Sequence, residues 1–103
     1  MGYICRMRVA STEEYRAWVN GLKDQAGRAR VLMRVDRLIH GNPGAYRNLP
    51  EGLSELEVDA GPGYRVYYTK RGGTLLLLLA GGDKSTQTKD IAKALELKRN
   101  FVE

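Results

Sequence analysis

The strands of this protein are predicted from one stretch of the chain, residues 55–80, which reads ELEVDAGPGYRVYYTKRGGTLLLLLA. Over 55–60 apolar and acidic residues alternate, which predicts a strand with one apolar and one charged face. The charged face carries Glu55, Glu57 and Asp59. The glycine and proline residues at 61–63 then predict a tight turn.

Two further strands follow in the same stretch. Alternation over 64–69 predicts a strand with Tyr64, Val66 and Tyr68 on one side and Arg65, Tyr67 and Thr69 on the other. A second turn is predicted at 71–73. Residues 74–80 are continuously apolar, which indicates a central strand covered on both faces. Residues 55–80 are therefore predicted to form a three-stranded meander.

Two helices are predicted between an N-terminal strand at Tyr3–Val9 and this meander. A Ser-Thr pair followed by two glutamates signals a helix over about Thr12 to Leu22. After a break near 25–27, apolar residues spaced three and four apart predict a second helix with one buried face. It ends near His40, because Gly41-Asn42-Pro43-Gly44 combines a C-terminal glycine with a proline.

A last helix is predicted after Gly81-Gly82, with Asp83 or Ser85 as its cap. The order is then strand, two helices, three strands and a terminal helix, within a single domain that spans residues 1–103. We therefore expect an α+β fold in which the helices pack against one face of a twisted, mostly antiparallel sheet.

The composition indicates a folded and basic protein. Lys and Arg number 17 against 12 Asp and Glu, which gives a net charge of +5 and favours polyanionic partners. Solvated cationic faces without a partner are equally typical of such a bias. The single Cys5 excludes an intramolecular disulfide, and no apolar run approaches the roughly 20 residues of a membrane span. We expect a cytoplasmic protein without metal, cofactor or membrane contact.

Several strings between residues 15 and 97 occur in an order that one protein family shares. They are Leu22-Lys23-Asp24, the Arg28 to Arg37 helix, GNPG at 41–44, LEVD at 56–59, GPGYRVYY at 61–68, and GGDKSTQ at 81–87 followed by Asp90-Ile91. On these strings the chain resembles the RelE/ParE toxin superfamily, in particular its HigB-like, phage-related addiction module killer branch. The resemblance implies a RelE-like fold.

The resemblance also implies the toxin component of a type II toxin–antitoxin system. RelE-like members are typically metal-independent endoribonucleases that cleave mRNA in the ribosome, and a cognate helix-turn-helix antitoxin holds them. The expected partners are therefore the ribosome, mRNA and that antitoxin. ParE-like members instead poison DNA gyrase without cutting RNA. A third interpretation is an inactive toxin relic that only binds its antitoxin, since one scaffold hosts different activities.

Four residues form the candidate catalytic set. Arg65 matches the family arginine that contacts the scissile phosphate, and Lys84 matches the second basic position of RelE-like sites; both suit charge stabilisation. Asp90 and Gln87 are candidates for assisting proton movement. Gln87 is also a candidate for ordering a ribose hydroxyl. The simpler interpretations are a surface arginine, a solvated lysine and helix-capping polar groups.

Six residues are candidate RNA contacts: Arg28, Arg30, Arg34, Arg37, Arg47 and Tyr67. The helical arginines share one face, which suits RNA phosphates or an acidic antitoxin segment, although an ordinary solvated face has the same pattern. Tyr67 shares the strand face of Arg65. It is interpreted equally as a platform on which a base stacks and as an aromatic that packs across the strands.

Two features depart from the RelE-like pattern. The acidic residues at 55, 57 and 59 stand where relatives place basic ones, and they would repel an RNA backbone. The last helix also lacks the tyrosine or histidine that several relatives use as acid or base. The single histidine, His40, is interpreted as an exposed or capping residue. GGDKST at 81–86 lacks the spacing of a phosphate-binding P-loop, so nucleotide binding is not predicted.

Overall fold

The computed structural model describes residues 7–102 of the chain. Within that part, five strands form one sheet: β1 Arg8–Ser11, β2 Tyr46–Asn48, β3 Ser54–Val58, β4 Tyr64–Arg71 and β5 Leu75–Asp83. Three α-helices accompany them: α1 Glu13–Asn20, α2 Gln25–Ile39 and α3 Gln87–Asn100. Short 3₁₀ turns lie at Pro50–Gly52 and Lys84–Thr86. The predicted α+β class is confirmed.

The strand order is β1-β5-β4-β3-β2, with β1 parallel to β5 and every other pair antiparallel. The meander therefore has four strands, not three. The additional strand, β2, is exposed along its three residues, so no burial pattern in the sequence indicates it. The N-terminal strand begins at Arg8, later than predicted, and residues 3–6 of the prediction lie outside the described residues.

The helices cover both faces of the sheet, so the prediction that they pack against one face is wrong. Side chains of α1 and α2 pack with Leu76 and Leu78 of β5 in one cluster. On the opposite face, Ala94 of α3 packs with Leu77 and Leu79. The expectation that residues 74–80 are covered on both faces is confirmed for β5, because consecutive apolar residues need a cover on each side.

A β-bulge interrupts β5 near the end of the leucine run. Tyr67 pairs with Ala80, but Tyr68 pairs with Leu78, which leaves Leu79 without a partner on β4. After this extra residue, Gly81 faces α1, where a Cβ atom would collide with Trp18. Gly82 faces α3 on the same side as its partner Arg65. The bulge therefore decides which glycine lies beside Arg65.

The start of α1 and the end of α2 follow the predicted signals, but the predicted break near 25–27 is wrong, because α2 already begins at Gln25 behind an Asp24 cap. The Thr12 hydroxyl accepts a 3.0 Å hydrogen bond from Tyr15 N, and α1 starts directly after it. Asp24 caps α2 by accepting from Gly27 N at 3.0 Å. The second helix ends at His40 as predicted. Asp83 caps the 3₁₀ turn before α3 rather than α3 itself.

Candidate functional site

A groove opens at the end of the sheet where β3 ends and β4 begins. Its volume is about 450 Å³, within the range of small-molecule sites. It brings together Arg65 and Lys84, the two residues predicted to contact a phosphate. Arg34, Glu57 and Asp59 also line it, beside the turn at 61–63.

Gly63 lies next to both Arg65 and Lys84. Its φ of 85° favours glycine, because other residues are strained there. A Cβ atom built on it would lie 3.5 Å from Arg65 Nη1 and 3.7 Å from Lys84 Cβ. The Lys84 backbone N–H donates a 3.0 Å hydrogen bond to Gly63 O. The turn therefore brings Arg65 and Lys84 close to one backbone position.

The Arg65 guanidinium is held along one edge only. Nη1 donates to Tyr64 O at 3.1 Å, whereas Nε is buried without a hydrogen-bond partner among the described residues. Nε lies 3.8 Å from Glu55 Oε1, which is too long for a direct hydrogen bond. Only 11% of the Arg65 side chain is exposed, and this shielding from water strengthens its attraction for an anion in the groove.

Lys84 is exposed, and its side chain makes no hydrogen bond or ion pair with the rest of residues 7–102. It begins the 3₁₀ turn that leads from β5 into α3. A free ammonium group beside a shielded guanidinium is suited to a phosphate. Glu57 and Asp59 in the same groove offset part of that positive charge.

The sequence predicted that Glu55 lies on a charged face of its strand. In the structure Glu55 is instead fully buried. Its Oε1 accepts a 2.7 Å hydrogen bond from Arg47 Nε, and its Oε2 accepts one of 2.9 Å from Gln87 Nε2. Burial is the largest single influence and raises the pKa of this carboxyl, but the interactions with Gln87, Arg47 and Tyr67 together outweigh it and lower the pKa below 4.5. Glu55 is therefore an ionised carboxylate that joins β2, β3 and α3.

The sheet register explains why sequence reasoning missed this role. Arg47 on β2 and Tyr67 on β4 are the direct partners of Glu55 on β3, so the three side chains form one row across the strands. Glu57, Arg65 and Gly82 form the next row. In the sequence Glu55 and Glu57 are equivalent positions of one alternating pattern. Only their partners across the sheet, together with α3, distinguish them.

Tyr67 is fully buried in the apolar cluster beneath α3. Burial, followed by its interaction with Glu55, raises the pKa of the Tyr67 hydroxyl. That hydroxyl makes no hydrogen bond of ordinary geometry among the described residues. Because its ring is not accessible, the interpretation of Tyr67 as a base-stacking platform is wrong, and the interpretation as a packing aromatic is confirmed.

Asp90 does not line the groove with Arg65 and Lys84. Its Oδ2 accepts a 2.5 Å hydrogen bond from Thr86 Oγ1 and occupies the space that a side chain at Gly82 would need. Of the four predicted catalytic residues, two share the groove, while Asp90 and Gln87 stand on the first turn of α3.

Arg34 was predicted on an exposed arginine stripe, and that prediction is wrong. Its side chain is 9% exposed and donates to Glu57 O at 2.6 Å, Pro43 O at 2.7 Å and Ala45 O at 3.2 Å. Burial, more than the neighbouring arginines, lowers the pKa of its guanidinium. Arg34 therefore ties α2 to the loop before β2 and to β3.

The other arginines of the predicted RNA surface differ in exposure. Arg30 and Arg37 are exposed on α2. Arg28 is partly buried and donates to Val19 O at 3.1 Å, which links α2 to the end of α1. Arg47 keeps half of its side chain exposed while it pairs with Glu55. The stripe is therefore reduced to Arg30 and Arg37, with Arg47 as a separate exposed cation.

His40 is exposed at the end of α2, and its Nδ1 lies 2.8 Å from Asp36 O. It does not line the groove. Among residues 7–102 there is no group of His, Cys, Asp and Glu side chains arranged to hold a metal ion. In the same part of the chain no helix has the length and apolar character needed to cross a membrane. Cys5 lies outside the described residues.

A protein of Haemophilus influenzae, described as an uncharacterized protein, is 41% identical to this chain over 88 residues. The matched region covers 85% of this chain and 89% of the relative. No protein-family model matches the chain. No solved structure matches it. Identity at this level over most of both chains is typical of members of one family.

Proposed function

The chain belongs to one family with the Haemophilus influenzae protein, and from its groove we propose the toxin of a type II toxin–antitoxin system, a ribosome-dependent mRNA endoribonuclease with a RelE-like fold. The observation that carries this proposal is that Arg65 and Lys84 line one groove, both next to Gly63. Two cations that line one groove suit a phosphate of an RNA strand.

The proposed reaction is an attack by a ribose 2′-oxygen on the adjacent phosphorus. A new P–O2′ bond forms and the P–O5′ bond breaks, which leaves a 2′,3′-cyclic phosphate and a 5′-hydroxyl. The 2′-hydroxyl loses its proton, and the leaving 5′-oxygen gains one. Arg65 and Lys84 stabilise the negative charge that builds on the phosphate oxygens. This chemistry needs no metal ion.

Glu57 replaces Asp90 as the proposed proton acceptor. It lines the groove and is the direct cross-strand partner of Arg65, whereas Asp90 is held by Thr86 outside the groove lining. Gln87 does not titrate, so its proposed role is to orient a ribose. A carboxylate next to the phosphate-binding arginine is within reach of a neighbouring 2′-hydroxyl. The acidic strand is then part of the chemistry rather than an obstacle to it.

The test is translation of a defined mRNA with purified ribosomes and wild-type protein, compared with Arg65→Ala. Loss of one preorganised donor is expected to lower the cleavage rate by about 10²- to 10³-fold. Arg16→Ala is the matched control, because Arg16 is an exposed arginine outside both the groove and the predicted RNA contacts. Equal cleavage by wild type and Arg65→Ala would overturn the site, and no cleavage by the wild type would overturn the enzyme.

A gyrase poison without nuclease activity is the second candidate. The observation that favours it is the pair of carboxylates, Glu57 and Asp59, in the groove beside the cations. This candidate predicts that expression of the protein leaves mRNA intact and changes plasmid supercoiling. Northern analysis of one message, combined with plasmid topology from the same cells, distinguishes the two functions.

A helix-turn-helix antitoxin is the proposed partner, and the cytoplasm the proposed place of action. The excess of basic residues, +5 overall, suits both RNA and an acidic segment of an antitoxin. A small helix-turn-helix reading frame next to this gene, whose product suppresses growth arrest and copurifies with the chain, is the expected finding. Growth that continues when this chain is expressed alone would instead support the inactive relic.

A further inference from the structure

Arg47, Glu55 and Gln87 form a hydrogen-bonded group beside the groove. The buried carboxylate of this group determines which end of the Gln87 amide faces outward. Glu55 is 0% exposed, and its two oxygens take hydrogen bonds from Arg47 Nε and Gln87 Nε2. Its lowered pKa keeps it ionised near neutral pH. An ionised carboxylate only accepts hydrogen bonds, so the NH₂ group of the Gln87 amide must face it.

The other end of the same amide is free. Gln87 Oε1 makes no hydrogen bond within residues 7–102, and it is not among the polar atoms buried without a partner there. This carbonyl oxygen is therefore exposed to solvent as an unpaired acceptor. A glutamine on a free surface turns its amide to suit either a donor or an acceptor, but this one is fixed by Glu55 as an acceptor.

The amide that carries this acceptor is linked to the guanidinium of the groove through Glu55, although Gln87 does not itself line the groove. Glu55 lies 2.9 Å from Gln87 Nε2 through one oxygen and 3.8 Å from Arg65 Nε through the other. Glu55 therefore spans the two residues. A strand that places a phosphate on Arg65 has its sugars within a few ångströms of that phosphate. A 2′-hydroxyl, which DNA lacks, is the donor that such an acceptor recognises.

We propose that Gln87 Oε1 accepts a hydrogen bond from a ribose 2′-hydroxyl of the bound strand, which makes Gln87 the residue that distinguishes RNA from strands without that donor. Glu55 is a positioning residue, because it acts only by fixing the direction of the Gln87 amide. The inference rests on the proposed function for its ligand, single-stranded RNA, and it adds the contact by which the sugar is recognised.

The experiment measures binding of a fluorescent RNA oligonucleotide and of the same sequence with 2′-fluoro sugars, which lack the hydroxyl donor. Fluorescence anisotropy without ribosomes gives both dissociation constants for each variant. The wild type is expected to bind the RNA about fivefold more tightly than the 2′-fluoro strand, the effect of about one neutral hydrogen bond. In Gln87→Met, which keeps the length of the side chain, this ratio is expected to fall to about one.

Glu55→Gln separates positioning from simple structural support. Without the carboxylate the Gln87 amide turns freely, so the RNA to 2′-fluoro ratio falls although Gln87 is unchanged. If Glu55 only supports the fold, Glu55→Gln would weaken the binding of both oligonucleotides equally and leave the ratio of their dissociation constants unchanged. Gln25→Met is the matched control, because Gln25 is an exposed glutamine at the start of α2 and its loss leaves the ratio unchanged.

Each outcome supports or overturns the inference. A wild-type ratio that Gln87→Met retains overturns it, and so does a wild type that binds both strands equally while still cleaving mRNA on ribosomes. A wild type that binds neither strand overturns this inference, and cleavage of mRNA on ribosomes by the same protein then leaves the proposed function standing. If Gln87→Met does not fold by circular dichroism, Gln87→Ala replaces it with the same expected loss of discrimination.

Discussion

The two faces of the sheet are built from different chemistry. Beneath α1 and α2, twelve buried apolar and aromatic residues form one cluster that reaches from Tyr15 to Leu78. Beneath α3 the buried cluster has six members, and a row of charged and amide side chains adjoins it at the start of that helix. One face therefore carries most of the core, while the other combines packing with the candidate site.

The difference teaches where a small domain can place polar groups. A buried carboxylate such as Glu55 is costly unless hydrogen bonds satisfy it, and the sheet edge with the first turn of α3 supplies Arg47 and Gln87 for that purpose. On the α1–α2 face, the buried Tyr64 hydroxyl also donates to a carboxylate, but that carboxylate, Asp24, is exposed. Substitutions on the two faces are therefore expected to have different consequences.

The largest expected effect is on the α1–α2 face. Leu76→Ala removes a fully buried side chain from the cluster and is expected to lower the free energy of unfolding by about 2 to 5 kcal/mol. Urea denaturation measures the loss. Leu32→Ala, at a position that is 41% exposed, is the control and is expected to change stability by less than about 0.5 kcal/mol.

A loss for Leu76→Ala as small as that for Leu32→Ala would contradict the assignment of the main core to this face. Cleavage per folded molecule is expected to stay close to that of the wild type, because Leu76 contributes nothing to the groove lining. A selective loss of cleavage with intact stability would show that the two faces are not separate in function.

An intermediate effect is expected at Arg34, which lines the groove from α2. Arg34→Lys loses the planar fork that reaches three carbonyl oxygens, so about 1.5 to 3 kcal/mol of unfolding free energy is expected to be lost. Arg37→Lys, an exposed arginine on the same helix, is the matched control with almost no loss. Equal urea midpoints for the two variants would show that Arg34 contributes no more to stability than the solvated arginine that the sequence predicted.

The smallest effect is a pH dependence that sharpens the description of the α3 face. The pKa of Glu55 is lower in the folded protein than its usual 4.5, so its stabilisation is complete above that value and is lost as pH falls through the folded pKa. Glu55→Gln is expected to cost about 1 kcal/mol at neutral pH.

The difference between wild type and Glu55→Gln is expected to shrink as the pH of the urea titration falls below 4.5. Glu96→Gln is the control, because its carboxylate is mostly exposed and forms an ion pair with the half-exposed Lys93 on the same helix. A wild-type advantage that persists undiminished at acid pH would show that Glu55 is not held as a carboxylate.

Much of the fold follows from short-range patterns. The α+β class, the start of α1 after Thr12, the end of α2 at His40 and the meander strands after residue 55 were all predicted, because alternation, capping and turn residues act within a few positions. The site was predicted in part: Arg65 and Lys84 share a groove, but the strings that suggested them say nothing about the surroundings of either residue.

Long-range pairing accounts for the rest. The bulge that turns Gly82 toward α3 could not be predicted from the sequence. The five residues at 75–79 are all leucine, so an apolar pattern cannot show where the alternation of faces is interrupted. Likewise, Glu55 and Glu57 are equivalent in an alternating strand, and only the register with Arg47 and the approach of Gln87 make one of them a buried carboxylate. Periodicity assigns residues to a strand and a face, whereas burial and charge pairing depend on partners far away in the chain.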